Sequence, residues 1–211
     1  MTIAARVVYT GLPAAYGGAM ARPPRIQASG ATYHVTANAT FGRRLFVEND
    51  DRRWFEYRLA DVVRRYDWSC KAHCLLGTHY HLLVTTPEPN LATGMHRLNA
   101  MHAQAFNDRH EQFGHLFRDR YHTVLVEAEG HFLELFRYIA LNPVRAGLCE
   151  RPADWRWSSY AGAIGWASPP PFLALHSVLQ LFGRDPAVAR RRLQAFVEDG
   201  LGASRSDRSG V

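Results

Sequence analysis

The stretch "LLGTHYHLLVTT", residues Leu75–Thr86, decides how the rest of the chain is interpreted. Its apolar residues predict a strand inside a sheet, yet His79 and His81 interrupt the run with one tyrosine between them. Successive side chains of a strand point to opposite faces, so residues two apart share a face and their ring nitrogens can converge. Two neutral imidazoles on one face supply half of a typical metal site. The plainer alternative is that both are polar residues at the rim of the sheet.

The composition indicates a globular protein with a basic balance of charge. The chain has 211 residues, of which 47% are hydrophobic and 12% aromatic, enough for one good core. No run approaches the roughly 20 apolar residues that cross a bilayer, so we expect a cytoplasmic protein without a membrane partner. The formal net charge is +6, and all 25 basic residues except Lys71 are arginine, which favours a nucleic-acid partner. Three cysteines without a Cys-x-x-Cys pair argue against a disulfide framework and a zinc knuckle.

The chain alternates between strand and helix periodicity. Strands are predicted at "YHVTANAT" (33–40), "SCKAHCLLG" (69–77), "HYHLLVTT" (79–86) and "RYHTVLVEA" (120–128). Helices are predicted over about 50–66, with Asn49 and Asp50 as cap candidates, over 91–110, and from 130 to near Asn142, where the following proline disfavours helical geometry. The order is the split β-α-β pattern, so we predict an α+β ferredoxin-like sandwich with an antiparallel sheet and packed helices.

The last of these helices carries a second set of polar residues. Phe132, Leu135, Phe136 and Ile139 are spaced to form its buried stripe, whereas Glu134, Tyr138 and Asn142 form another line at four-residue spacing. A phenol, an amide oxygen and two imidazoles are the groups that metal-assisted phosphodiester cleavage requires. The sequence therefore favours an enzyme in which Tyr138 attacks a phosphate near a bound divalent ion.

Several segments together resemble a known family. "THYHLL" and, about 60 residues later, "RYIALNPVRAGL" occur with "MARPPRI", "GATYHVT", "GHLFRDRYHTVLVE" and "DWRWSSY" in the expected order. Over about residues 20–201 the chain resembles the REP-associated tyrosine transposases, which are insertion-sequence-200-like transposases in the single-tyrosine branch of the HUH nuclease superfamily. The resemblance implies a transposase that cuts single-stranded DNA, at palindromic hairpin elements, through a 5′-phosphotyrosine intermediate.

The resemblance also implies roles for particular residues. His79 and His81 would bind the divalent metal, Mg²⁺ or Mn²⁺, Tyr138 would be the nucleophile, and Asn142 would stand where related transposases have a glutamine as third ligand. One residue departs from the pattern, because Thr78 replaces the asparagine that usually precedes the histidine pair. For DNA binding we select five arginines near the ends of the predicted elements, namely Arg43, Arg44, Arg118, Arg120 and Arg145.

The resemblance suggests three segments. Residues 1–19 are expected to be a disordered extension or the result of a start codon assigned too early, and residues 20–165 to be the transposase catalytic domain. Residues 166–211 are expected to form a short helical appendage and tail, too small to be a DNA-binding domain with its own core. The partner is single-stranded or hairpin DNA, and the protein is expected to be a monomer or a homodimer.

Other functions compete with this hypothesis. A relaxase or replication initiator uses the same metal and tyrosine, although the sequence has no G-x-x-x-x-G-K-[ST] helicase motif. A domesticated, catalytically silent DNA-binding regulator would keep the whole pattern. A single-strand-binding module would need more aromatic residues on its sheet than Tyr33 and Phe41, and a barrel metallohydrolase would need about 250 residues and further ligands.

Overall fold

The computed structural model describes residues 27–206, with side chains described up to residue 201. The extension predicted at residues 1–19 lies outside the described residues. The elements follow in the order β1 (Ala31–Asn38), α1 (Asn49–Arg65), β2 (Ser69–Leu75), β3 (His79–Thr86), α2 (Leu91–Arg109), β4 (His122–Val126), α3 (Glu129–Arg145), a 3-10 turn (Pro152–Asp154), α4 (Tyr160–Ala163), α5 (Leu175–Gln180) and α6 (Pro186–Ser206). Over the described residues, no helix is both long and apolar enough to cross a membrane.

The four strands form one antiparallel sheet in the order β2-β3-β1-β4. The first and third strands of the chain therefore lie in the middle of the sheet, and β2 and β4 lie at its edges. This order and the split β-α-β connections are those of a ferredoxin-like sandwich, which confirms the fold predicted from the sequence. The strand β1 covers residues 31–38 rather than 33–40, although Ala39 still donates its backbone N–H to the carbonyl of Thr78 and forms an isolated bridge with Phe117.

Helices cover both faces of the sheet. The even-numbered side chains of β3 point into a hydrophobic cluster with α1 and α2, whereas Leu83 points into a second cluster with Phe136 of α3 and Leu193 of α6. Because side chains alternate along a strand, His79 and His81 share the face of Leu83. The position of α3 on that face is the feature of the fold that matters most for function.

The beginning of α1 is stabilised by Asp51 rather than by the expected Asn49 or Asp50. The Asp51 carboxylate accepts hydrogen bonds from the backbone N–H groups of the two residues before the helix, each at 2.9 Å. Arg109 and His110, at the end of α2, bind the same carboxylate at 2.8 and 3.0 Å. One buried side chain thus caps α1 and ties it to the end of α2.

The helix α3 does not end near Asn142, as the sequence had suggested, but continues to Arg145 with Pro143 inside it. Proline has no N–H, so the carbonyl four residues earlier loses its usual helical donor. The last turn is nevertheless closed by a hydrogen bond of 2.9 Å from the Ala146 N–H to the Asn142 carbonyl, and Pro143 is buried. Packing of the proline therefore outweighs its local preference against the helix.

Candidate active site

The two histidines of the opening stretch lie at the start of β3, on the face covered by α3. Their ring centroids are 5.1 Å apart and the rings are almost perpendicular. Strand β1 runs beside them, with Asn38 opposite His79 and Thr36 opposite His81. His81 is buried and His79 is partly exposed. The pair therefore lies at one end of the sheet, with one ring in the interior and the other partly in contact with solvent.

The two ring nitrogens of His81 have different surroundings. Nδ1 lies 3.0 Å from Nε2 of His34 and 3.1 Å from Oγ1 of Thr36, both on β1. Nε2 is buried, and within the described part of the chain it has no hydrogen-bond partner. A buried nitrogen without a partner is costly, because it has lost its hydration without replacement. Nε2 of His81 is therefore the atom that remains available to a ligand.

Burial keeps these imidazoles neutral near pH 7. Desolvation, with a smaller contribution from the nearby His131, lowers the pKa of His34 to about 4. Burial likewise lowers the pKa of His79. It lowers the pKa of His81 well below the usual value, with smaller contributions from His34 and His79. The neutral imidazole is the form that binds metal ions, so these rings are ready to act as ligands without first losing a proton.

Two side chains at this site thus fit a divalent metal ion, on the basis of the free Nε2 of His81 and the neutral state of both rings. Over residues 27–201, no group of three or more histidine, cysteine, aspartate or glutamate side chains is arranged to hold a metal. Any third ligand from this part of the protein must therefore be of another chemical type, such as an amide oxygen.

The helix α3 brings Tyr138 against the buried histidines. The centroid of its ring lies 5.5 Å from that of His81 and 6.0 Å from that of His34, and the planes of the rings meet at 88° and 74° respectively. Two turns later on the same helix, the guanidinium of Arg145 lies 5.2 Å from the centre of the Tyr138 ring. A phenol, buried imidazoles and an exposed cation therefore occupy one end of the sheet.

The other two residues of the predicted polar line, Glu134 and Asn142, make no hydrogen bond to the histidines in the described part of the chain. Asn142 is buried, and its amide nitrogen donates to the backbone carbonyl of Tyr138 at 3.4 Å, whereas Glu134 is exposed and pairs with Arg137. The expected continuous polar line is therefore wrong for Glu134. Four residues exceed one helical turn by about 40°, so positions spaced by four drift around the axis. Glu134 reaches solvent and Asn142 reaches the interior.

The five predicted arginines differ in what their side chains contact. Arg44, Arg118, Arg120 and Arg145 are exposed, and the first three lie on the loops at the His79 end of the sheet. Arg43 is less exposed, and its guanidinium donates hydrogen bonds within the protein, to the His115 carbonyl at 2.9 Å and to the side chains of Asn107 in α2 and Gln112 in the loop that follows it. These hydrogen bonds give Arg43 a structural role, and its part in DNA binding stays a prediction.

Sequence reasoning did not single out Thr36, and it marked His34 only as one of three strand histidines, with His73 and His122, that could orient the pair, although both His34 and Thr36 contact His81. The stretch "HVT" in β1 places them on one face by its period of two. That signal is present in the sequence, but the register that sets them opposite Leu83 and His81 is not. By contrast, His73 lies on the other face of the sheet, where its Nε2 is 3.1 Å from the Glu56 carboxylate.

Known proteins resemble the chain both in sequence and in fold. The family model described as "Transposase IS200 like" matches residues 27–142, which is more than half of the chain. A solved structure of a REP-associated tyrosine transposase bound to a REP hairpin superimposes with a TM-score of 0.61 at 18% sequence identity, over 72% of this chain and 90% of that one. At that identity the likeness concerns the fold. No curated protein is similar enough to count as a match.

Proposed function

Because the chain belongs to the IS200-like transposase family, we propose that this DNA-cutting enzyme is a metal-dependent endonuclease and strand transferase for single-stranded DNA, with Tyr138 as nucleophile. The observation that carries the proposal is the position of the Tyr138 ring, which is almost perpendicular to the His81 ring at 5.5 Å between centroids. A phenol can form a covalent bond with phosphorus, whereas the neutral imidazoles beside it are proposed as metal ligands.

The proposed reaction exchanges one phosphodiester for another. The Tyr138 oxygen attacks the phosphorus, the bond from phosphorus to the 3′ oxygen breaks, and the phenolic proton is lost while the departing 3′ oxygen gains one. The products are a 5′-phosphotyrosine and a free 3′-hydroxyl. Attack by another 3′-hydroxyl reverses these steps and joins the strands without ATP, because the linkage retains the bond energy.

His79 and His81 would hold the divalent ion, Mg²⁺ or Mn²⁺, with Asn142 as the third protein ligand. The amide nitrogen of Asn142 is used by the Tyr138 carbonyl, so its oxygen is the atom that would bind the metal. When bound, the ion would supply positive charge to the phosphate. Arg145, beside the Tyr138 ring, is placed to neutralise a second phosphate charge.

We propose hairpin-forming palindromes of single-stranded DNA as the substrate. The solved structure with a similar fold contains a REP hairpin. The chain has a net charge of +6, and its exposed Arg44, Arg118 and Arg120 lie at the same end of the sheet as His79. Guanidinium groups at that edge suit a polyphosphate backbone, and binding should weaken as salt increases.

One observation favours a second candidate, a catalytically silent DNA-binding regulator. In the described part of the chain Asn142 makes its hydrogen bond to the Tyr138 carbonyl, and no hydrogen bond joins it to either histidine of the pair. A regulator would keep the sheet and its arginines without requiring a third metal ligand. The two candidates differ in one property, which is the formation of a covalent link to DNA.

The test is to incubate the protein with a labelled hairpin that has single-stranded flanks, in Mn²⁺, and to separate the products on a denaturing gel. We expect a protein-DNA adduct with the wild type and none with Tyr138→Phe, which lacks only the attacking oxygen and should bind the hairpin normally. Tyr57→Phe is the matched control, since Tyr57 is an exposed tyrosine on the opposite side of the sheet. An adduct that persists in Tyr138→Phe would move the nucleophile elsewhere, and binding without any adduct would favour the regulator.

A further inference from the structure

Two exposed phenylalanines lie beside the candidate active site. Phe41 is 84% exposed and Phe113 is 93% exposed. Each precedes a glycine with a left-handed backbone, Gly42 at φ +75° and Gly114 at φ +85°. Isolated apolar residues on a surface are ordinary. The arrangement of Phe41 and Phe113 is unusual, because two Phe-Gly turns from distant parts of the sequence meet at the same end of the sheet.

The loops that carry these turns are held together by hydrogen bonds. The backbone N–H of Thr40 donates to the Leu116 carbonyl at 2.9 Å, and its hydroxyl donates to the His115 carbonyl at the same distance. Arg43 adds donations to the carbonyls of Phe113 and His115. The two phenylalanines therefore lie on a pair of loops that hydrogen bonds hold together, although neither side chain contributes to the core.

This loop pair adjoins the residues that form the candidate active site. The Ala39 N–H donates to the carbonyl of Thr78, the residue before His79, at 2.8 Å. Arg44 packs over Gly77, since a Cβ built on that glycine would lie 2.8 Å from the guanidinium. A strand whose phosphate is held at the histidines must therefore run across or beside these loops.

The charged residues around Phe41 and Phe113 indicate which kind of molecule the two rings bind. The guanidinium of Arg118 lies 5.4 Å from the centre of the Phe41 ring, and the exposed Arg44 and Arg120 flank the same loops. Asp119 forms an ion pair with Arg118 at 3.4 Å, which leaves the guanidinium in place over the ring. Flat aromatic surfaces among guanidinium groups suit unpaired nucleobases, because bases stack on the rings while phosphates meet the cations.

We infer that Phe41 and Phe113 form a stacking platform for the unpaired nucleotides that flank the cut phosphate, and this inference rests on the proposed function. Bases in a duplex already stack on their neighbours and offer no free face, so the platform selects single strands. Every base has an aromatic face, so the platform tolerates any sequence. Base identity would then be read elsewhere in the protein.

The test measures the affinity of the intact protein for a fluorescent, non-self-complementary DNA single strand of about 16 nucleotides and for the corresponding blunt duplex. Phe41→Ala and Phe113→Ala should each weaken single-strand binding by about 5- to 100-fold and leave duplex binding within twofold. Phe41→Trp should retain or strengthen it. Trp166→Ala is the control, because Trp166 is a similarly exposed aromatic residue, 56% accessible, outside these loops. Because all these side chains are exposed, melting temperatures should not change.

A 2-aminopurine placed next to the cut site adds a direct readout of stacking. Its fluorescence should be quenched by the wild type and recover in Phe41→Ala. Unchanged affinity in both alanine variants would overturn the platform, and so would an equal loss of duplex binding, which would indicate a wedge inserted between base pairs.

The outcomes separate this inference from the proposed cleavage. If the wild type forms no adduct and Phe41→Ala still binds single strands weakly, the nuclease fails and the platform stands. If the adduct forms and both alanine variants bind normally, the nuclease stands and the platform fails.

Discussion

At the scale of single residues, the proposed metal site determines where the protons of His34 and His81 would lie. Nε2 of His81 can bind a metal only through its lone pair, so Nδ1 of that ring must carry the proton. That proton then points to Nε2 of His34, 3.0 Å away, which accepts it with its own lone pair. His34 would thereby orient the imidazole that is proposed to bind the metal, as the outer partners of metal ligands commonly do.

This arrangement predicts how changes at His34 affect metal binding. His34→Leu should weaken Mn²⁺ binding by about 10- to 100-fold, since leucine cannot accept the proton of His81. His34→Gln should recover much of that loss, because its amide oxygen accepts a hydrogen bond. His81→Ala should lose more, and the exposed His176→Ala should lose nothing. Isothermal titration of Mn²⁺ into the DNA-free protein measures all four, with melting temperatures to verify folding, and equal affinities of the leucine variant and the wild type would contradict the orienting role.

At the scale of elements, one glycine sets how closely α2 approaches the residues that precede β2. A Cβ built on Gly94 would lie 2.2 Å from the indole ring of Trp68. That ring cannot easily move, because it is buried and its Nε1 donates to the Asn90 side chain at 2.7 Å. Glycine normally weakens a helix, so the close packing explains why one is found in the first turn of α2.

Two glycine-to-alanine changes should therefore have opposite effects on stability. Gly94→Ala should destabilise the protein by about 1–3 kcal/mol, because the overpacking exceeds the gain in helix propensity. Gly130→Ala, near the start of α3, should be neutral or stabilising by up to about 1 kcal/mol, since a Cβ there meets no atom within 4 Å. Urea unfolding of both variants measures the difference. Equal stabilities of the two variants would mean that the Trp68 ring moves aside without loss of folding free energy.

At the scale of the whole molecule, the C-terminal helices support the helix that carries Tyr138. Leu193 and Val197 of α6 are fully buried in the same cluster as Phe136 and Ile139 of α3. Gly200 lets the two helices approach, since a Cβ on it would lie 2.8 Å from Leu141 of α3. The division of the chain near residue 165 remains a prediction, but residues on both sides of it share one hydrophobic cluster.

A change in α6 should therefore be felt at the candidate active site. Leu193→Ala should cost about 2–5 kcal/mol and lower the melting temperature by roughly 5–15 °C, because it opens a cavity behind α3. Adduct formation should fall at temperatures where the wild type is still active. Arg191→Ala, an exposed neighbour, is the control. If Leu193→Ala has the same melting temperature as the wild type, α6 does not support α3 in this way.

The sequence by itself determined the order of elements, the ferredoxin-like fold and the alternation that assigns His79 and His81 to one face. These properties depend on spacings of two to four residues, which periodicity and turn residues express directly. The tertiary structure decided which groups meet that pair. Tyr138, more than 50 residues away, reaches His81 because α3 lies across the sheet, and His34 reaches it through the register of β1 against β3. The extension of α3 through Pro143 and the drift of Glu134 to solvent also result from packing. Contacts between distant segments depend on the shapes of whole surfaces, which local periodicity does not encode.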